Sequence, residues 1–176
     1  VALESGAPSD IIFETLVLDL DGGGVTAHAE PPAAKTANTP PASQDRMVAL
    51  PSVAITIAFD FDSAGIRADQ FGKLAQLSAA LQDPTLQDTQ FAVIGHTDAR
   101  GAAGYNCDLS FRRAAEVTEV LQTAYVPARL TPVGFGEHVL KNTYDPTAAE
   151  NRRVTFLPLP QDAWPVLRTA FQVCGR

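Results

Sequence analysis

The stretch Asn106-Cys107-Asp108-Leu109-Ser110-Phe111-Arg112-Arg113-Ala114 opens a segment in which Leu109, Val117, Val120, Leu121 and Ala124 share one helical face. That periodicity predicts an amphipathic helix over about residues 108–124, since a 3.6-residue repeat marks a helix with one buried side. Asn106 or Asp108 could cap it, because either side chain accepts from the free amides of a first turn. Pro127 stands just past its end.

Upstream, Phe91-Ala92-Val93-Ile94 reads as a buried strand feeding the polar loop Gly95-His96-Thr97-Asp98-Ala99-Arg100-Gly101. Phe71, Leu74, Leu77, Ala80 and Leu81 predict an earlier helix over about 68–82. Asp83-Pro84 stops it, because proline lacks the donor that a continuing helix needs. Before that, residues 53–59 are β-branched and apolar enough for a buried strand ending at Asp60-Phe61-Asp62-Ser63. Downstream, residues 130–135 and 153–157 read as two more strands. The order β-α-β-α-β-β across 52–158 predicts an α/β domain, an α+β sandwich in which helices cover a mixed sheet.

Outside that domain the pattern weakens. Residues 1–25 hold one apolar segment, Ile11-Ile12-Phe13-Glu14-Thr15-Leu16-Val17-Leu18, cut off at Asp21-Gly22-Gly23-Gly24, which predicts a short strand and a turn. Over 26–51 the composition shifts to Ala, Pro, Thr, Ser and Gln, with Pro-Pro at 31–32 and 40–41. Such a segment buries too little to fold alone and is expected to be a semi-extended linker. The tail 159–176 carries Trp164, Leu167 and Phe171, which suit a short helix docking back on the domain.

A formal charge of −7 argues against nucleic acid as a partner, because binding a phosphate backbone takes a concentrated Lys/Arg surface. No run approaches the roughly 18 apolar residues needed to cross a bilayer as a helix. A chain starting at Val1 fits a mature secreted protein or a trimmed piece of a longer one. Cys107 and Cys174 form no Cys-x-x-Cys or Cys/His cluster of the kind zinc requires, so neither a metal nor a cofactor is expected. In an oxidising compartment the two could join in a disulfide, though their count alone fixes no connectivity.

The opening stretch, with Val117 and Leu121 after it, resembles the pattern Asn-x-x-Leu-Ser-x-x-Arg-Ala-x-x-Val-x-x-x-Leu of the OmpA-like peptidoglycan-binding domains. That family includes the peptidoglycan-associated lipoprotein and the flagellar stator anchor. Four other segments are similar to family segments and stand in the same order: Phe59-Asp60-Phe61-Asp62-Ser63-Ala64, Gly95-His96-Thr97-Asp98, Gly134-Phe135-Gly136-Glu137 and Asn151-Arg152-Arg153-Val154. The resemblance implies non-covalent binding of peptidoglycan through the diaminopimelate of its stem peptide, at the periplasmic side of an outer membrane. It implies that Asp98 and Arg113 are the central pair, with Thr97, Asn106, Leu109, Phe61, Asp62 and Ser63 around them.

The chemistry suits that pair. Diaminopimelate ends as an amino acid, with an ammonium and a carboxylate on one carbon. A carboxylate beside a guanidinium can hold both, the arginine fork taking the ligand carboxylate through two charge-assisted bonds. The amides of a first helical turn near Arg113 would favour the same anion. Against this, Asp98 and Arg113 could simply pair with each other. Asn106 could be only a cap, Leu109 only core, and Phe61 a strand end. Ser63-Ala64 stands where some relatives carry larger or charged residues. Arg152 and Arg153 are expected in ion pairs beside the last strand, with one able to reach the pocket.

Two other classes compete. His96, Asp98, Ser110 and Glu137 are potential acid-base or nucleophilic groups, yet no Gly-x-Ser-x-Gly elbow activates a serine, so the expectation is a non-enzyme. A docking module for other envelope proteins, with little glycan affinity, is the alternative. Its evidence is the apolar strand near the start and the extra tail, either of which could add to a partner.

Overall fold

A computed structural model describes residues 11–19, 25–28, 47–55 and 57–175, with side chains for 57–84 and 86–175. Its strands are β1 (Ile11–Asp19), β2 (Val25–His28), β3 (Met47–Ile55), β4 (Gln90–Gly95), β5 (Arg129–Gly134) and β6 (Val154–Leu159). Its helices are α1 (Phe71–Leu81), α2 (Ala103–Thr123) and α3 (Trp164–Gln172). The strands form one six-stranded sheet in the order β2-β1-β3-β6-β4-β5. The β4–β5 pairing is parallel, and every other pairing is antiparallel. The expected β-α-β-α-β-β order is therefore present as β3-α1-β4-α2-β5-β6, in a mixed sheet.

Period-two alternation sorts side chains to two cores. On one face Phe91 and Val93 of β4 and Val154 and Phe156 of β6 meet Leu74, Leu77 and Leu81 of α1 and Ala114, Val117 and Leu121 of α2. On the other, Ala92, Ile94, Leu157 and Leu159 meet Val166 and Ala170 of α3.

Two strand-end glycines set how closely α2 lies on the sheet. A Cβ on Gly95 would come 1.9 Å from the Ser110 carbonyl oxygen, and one on Gly134 would come 2.7 Å from that of Cys107. Only glycine admits this approach. It brings the Asn106–Arg113 part of α2 over the end of β4, where the loop carrying Asp98 begins.

Three expectations need correction. The first strand runs Met47–Ile55 instead of 53–59; beyond it, Ile57 and Phe59 are buried, and Phe59 bridges Ile66 within its own loop. Thr56 lies outside the described residues. The helix expected over 108–124 begins five residues earlier, at Ala103. Its N-cap is Ala102, in an extended conformation with no side-chain cap bond, so the start carries no capping side chain to read. Asn106 and Asp108 are therefore inside the helix and cap nothing.

The expected linker 26–51 contributes most of β2 and the first half of β3, both paired with β1. The β1–β2 pairing is a local hairpin and the β1–β3 pairing a non-local contact, and composition reports neither. The turn expected at 21–24 and the Pro-Pro segments lie outside the described residues.

Candidate functional site

The end of β4, the loop after it, α2 and the loop before α1 enclose a crevice of about 300 Å³. Seven of the eight residues expected there line it: Phe61, Asp62, Thr97, Asp98, Asn106, Leu109 and Arg113. Ser63 does not line the crevice and instead offers its carbonyl to Arg113. Arg100, Gly101, Tyr105 and Arg152 complete the wall.

Arg113 is buried and lies 10 residues into α2, almost three turns from its first residue. The first-turn amides are thus too far along the helix to share its anion. Three backbone carbonyls hold the guanidinium instead: Nε donates to Ser63 at 2.8 Å, Nη1 to His96 at 3.3 Å and Nη2 to Asp60 at 3.2 Å. The Phe59 ring lies beneath it, 4.9 Å from the guanidinium carbon. Burial, and then the like charge of Arg152, lower its pKa to about 10, with Asp98 opposing the shift. At neutral pH it stays a cation, fixed in place with two of its five donors uncommitted among the described residues.

Asp98 is also buried, and its partner is not Arg113. Its Oδ2 accepts from Arg152 Nη1 at 2.8 Å, and its Oδ1 accepts from the Arg100 amide at 3.2 Å. Mutual pairing of Asp98 and Arg113, the main alternative from sequence, is not what the structure forms. Arg152 is the arginine of Asn151-Arg152-Arg153 that reaches the crevice, whereas Arg153 is fully buried with Nη1 donating to Val139 O at 3.4 Å.

The remaining wall is built from polar contacts. Asn106 Nδ2 donates to the Asp98 carbonyl at 3.4 Å and to the Glu137 carboxylate. Tyr105 Oη donates to Asp62, whose φ of 55° is the left-handed conformation that aspartate tolerates better than most residues. Arg100 lies 5.7 Å from the Phe61 ring centre and donates to Thr147 O at 2.9 Å. Thr97 is buried, and its hydroxyl has no partner among the described residues. A buried hydroxyl left unmatched at the wall of a crevice is suited to a ligand donor or acceptor.

Two of the potential acid-base or nucleophilic groups, His96 and Ser110, have structural occupations. His96 is fully buried, its Nε2 3.1 Å from Thr155 Oγ1 and its ring edge-on to Phe135. Burial, followed by the charge of Arg153, holds it well below the usual histidine range and therefore neutral. Ser110 Oγ donates to the Cys107 carbonyl and accepts from the Gly136 amide, both at 2.8 Å.

Cys107 and Cys174 form a disulfide that ties α2 to the residues after α3, with Cα atoms 5.7 Å apart. His138 is beside them, its ring nitrogen and the two sulfurs all within 4.8 Å, but the sulfurs are bonded to each other.

Arg152 was expected in an ion pair with one arginine of its motif able to reach the pocket, and it does both. Arg100, Gly101 and Tyr105 were missed: nothing local says which residues of a polar loop face inward, and Tyr105 lies in the first turn of α2, which was expected to start only at 108.

Comparison with known proteins gives a consistent set. The model of the OmpA family matches residues 58–154. Outer membrane porin F of Pseudomonas fluorescens is 38% identical over 106 residues, which is 58% of this chain and 32% of that protein. The peptidoglycan-associated lipoprotein of Brucella melitensis is 35% identical over 120 residues, covering 66% of this chain and 68% of the relative. The chain thus spans about a third of the porin and two thirds of the lipoprotein. The crystal structure of the peptidoglycan-associated lipoprotein from Burkholderia pseudomallei matches with a TM-score of 0.51 at 26% identity, over 58% of this chain and 88% of that one.

Proposed function

Because the chain belongs to the OmpA family, we propose that it binds peptidoglycan without catalysis, holding the diaminopimelate of a stem peptide in the Asp98–Arg113 crevice. The observation that carries this is that Asp98 and Arg113 line one crevice without pairing with each other. The ligand ammonium takes the lone pairs of Asp98 left by Arg152 and the Arg100 amide. The ligand carboxylate takes the two donors of Arg113 that no carbonyl holds. Charge-assisted bonds of this kind are short and about twice as strong as neutral ones.

Thr97 Oγ1 and Asn106 set the approach, while Leu109 and Phe61 give the methylene part of the ligand an apolar wall. A lysine side chain has the ammonium but not the carboxylate, so it leaves Arg113 unmatched, and this is the basis of selectivity. Several relatives bear the name peptidoglycan-associated lipoprotein. By that likeness the chain works at the periplasmic side of the outer membrane, attaching it or an envelope complex to the wall. Co-sedimentation with purified sacculi, comparing the chain with D98A and R113A, tests the reading: only the unaltered chain is expected in the pellet.

A further inference from the structure

A second cavity, of about 440 Å³, opens on a separate face of α2. Its walls are Phe111, Val133, Trp164, Phe171 and the Cys107–Cys174 bridge, and Arg168 and Gln172 are the polar side chains that reach it. Asn106, Leu109 and Arg113 of the same helix face the first crevice, so the two spaces share α2 and nothing else. Trp164, Arg168, Phe171 and Gln172 all lie beyond residues 58–154, the span matched by the family model. The cavity is therefore an addition made by α3 and its disulfide.

Volume and lining both fall in the range of small-molecule sites, which are mostly apolar with a few placed polar groups. Trp164 remains 65% exposed at its edge. Arg168 has no ion pair or hydrogen bond among the described residues, in a chain of formal charge −7. An uncommitted cation beside an apolar cavity complements one negative charge on an apolar body. A peptide segment fits less well, because its backbone amides and carbonyls would enter a space in which, among the described residues, Arg168 and Gln172 are the polar side chains.

We propose that this cavity binds a single alkyl chain carrying one anionic head group, as a free monomer. The head group sits on Arg168, and the chain lies along Val133, Phe111 and Phe171 beside Trp164.

Trp164 is the sole tryptophan of the sequence, so its fluorescence reports the cavity directly. The chain is titrated with octanoate and decanoate below their aggregation concentrations, with decanol as the uncharged counterpart, and each isotherm is repeated by calorimetry. The expected result is saturable one-to-one binding, tighter for decanoate than for octanoate by up to about fourfold per added methylene. R168Q, altered at an exposed position, is expected to weaken decanoate about tenfold and leave decanol unchanged. Non-saturable or absent binding of decanoate would overturn the proposal. So would equal affinity of R168Q and the unaltered chain for decanoate, or a response to an apolar peptide or to phosphatidylglycerol vesicles with none to decanoate.

Discussion

Asp98 and Arg113 are each held by groups other than the other, which leaves both open to the proposed ligand. Arg152 and the Arg100 amide fix the Asp98 carboxylate, and three carbonyls fix the Arg113 fork. In the proposed site Arg152 positions the Asp98 carboxylate. R152M is expected to weaken sacculus binding about tenfold, the usual scale of one hydrogen bond to a charged group, and R152K to recover part of the loss. A binding isotherm for each variant checks this.

His96 gives a pH prediction at the same scale. Its folded pKa is lowered by burial, so below about pH 6.5 the unfolded chain takes up a proton that the folded chain refuses. Stability then falls as the pH drops from 6.5 toward the folded value, at no more than about 1.4 kcal/mol per pH unit for one proton. Urea unfolding at pH 7.5, 6.5 and 5.5 should show this slope, and H96N should flatten it.

At the scale of elements, α1 and α2 were legible from apolar residues at helical spacing and β4, β5 and β6 from short apolar runs, whereas the first strand was placed at 53–59 and runs Met47–Ile55. The start of α2 was not legible, since Ala102 provides no cap. For the same reason the capping alternative for Asn106 did not hold: the residue is one turn inside the helix, lines the crevice and faces Asp98 and Glu137. The disulfide could be counted in the sequence but not joined, as it needs α3 to return across 67 residues to α2. Replacing both cysteines by serine is expected to cost about 2–4 kcal/mol, the common range for closing a long loop. Urea unfolding measures this loss. Sacculus binding should survive it, because Gly95 and Gly134 seat α2 on the sheet independently of the bridge.

At the scale of the whole molecule, the mixed sheet and its helix-covered core followed from the order of elements, whereas the sheet's extension to six strands did not. Strand β1 joins it by pairing with β3 over a long sequence gap and brings β2 with it as a hairpin, and local composition across 26–51 pointed the other way. The acidic charge of the molecule carries no information on the site, where three arginines line one crevice. Such a cluster in an acidic chain suits a ligand recognised group by group over one drawn in by net charge.

The central claim is the joint capture of an ammonium and a carboxylate by Asp98 and Arg113. The direct measurement is co-sedimentation of the chain, D98A and R113A with sacculi of the diaminopimelate type and of the lysine type. The account predicts that the unaltered chain pellets with the first type and not the second. Each variant should lose at least about 30-fold in affinity, the lower end for truncating one partner of a buried charge pair. Equal pelleting of all three proteins, or equal pelleting of the unaltered chain with both sacculi, would contradict it.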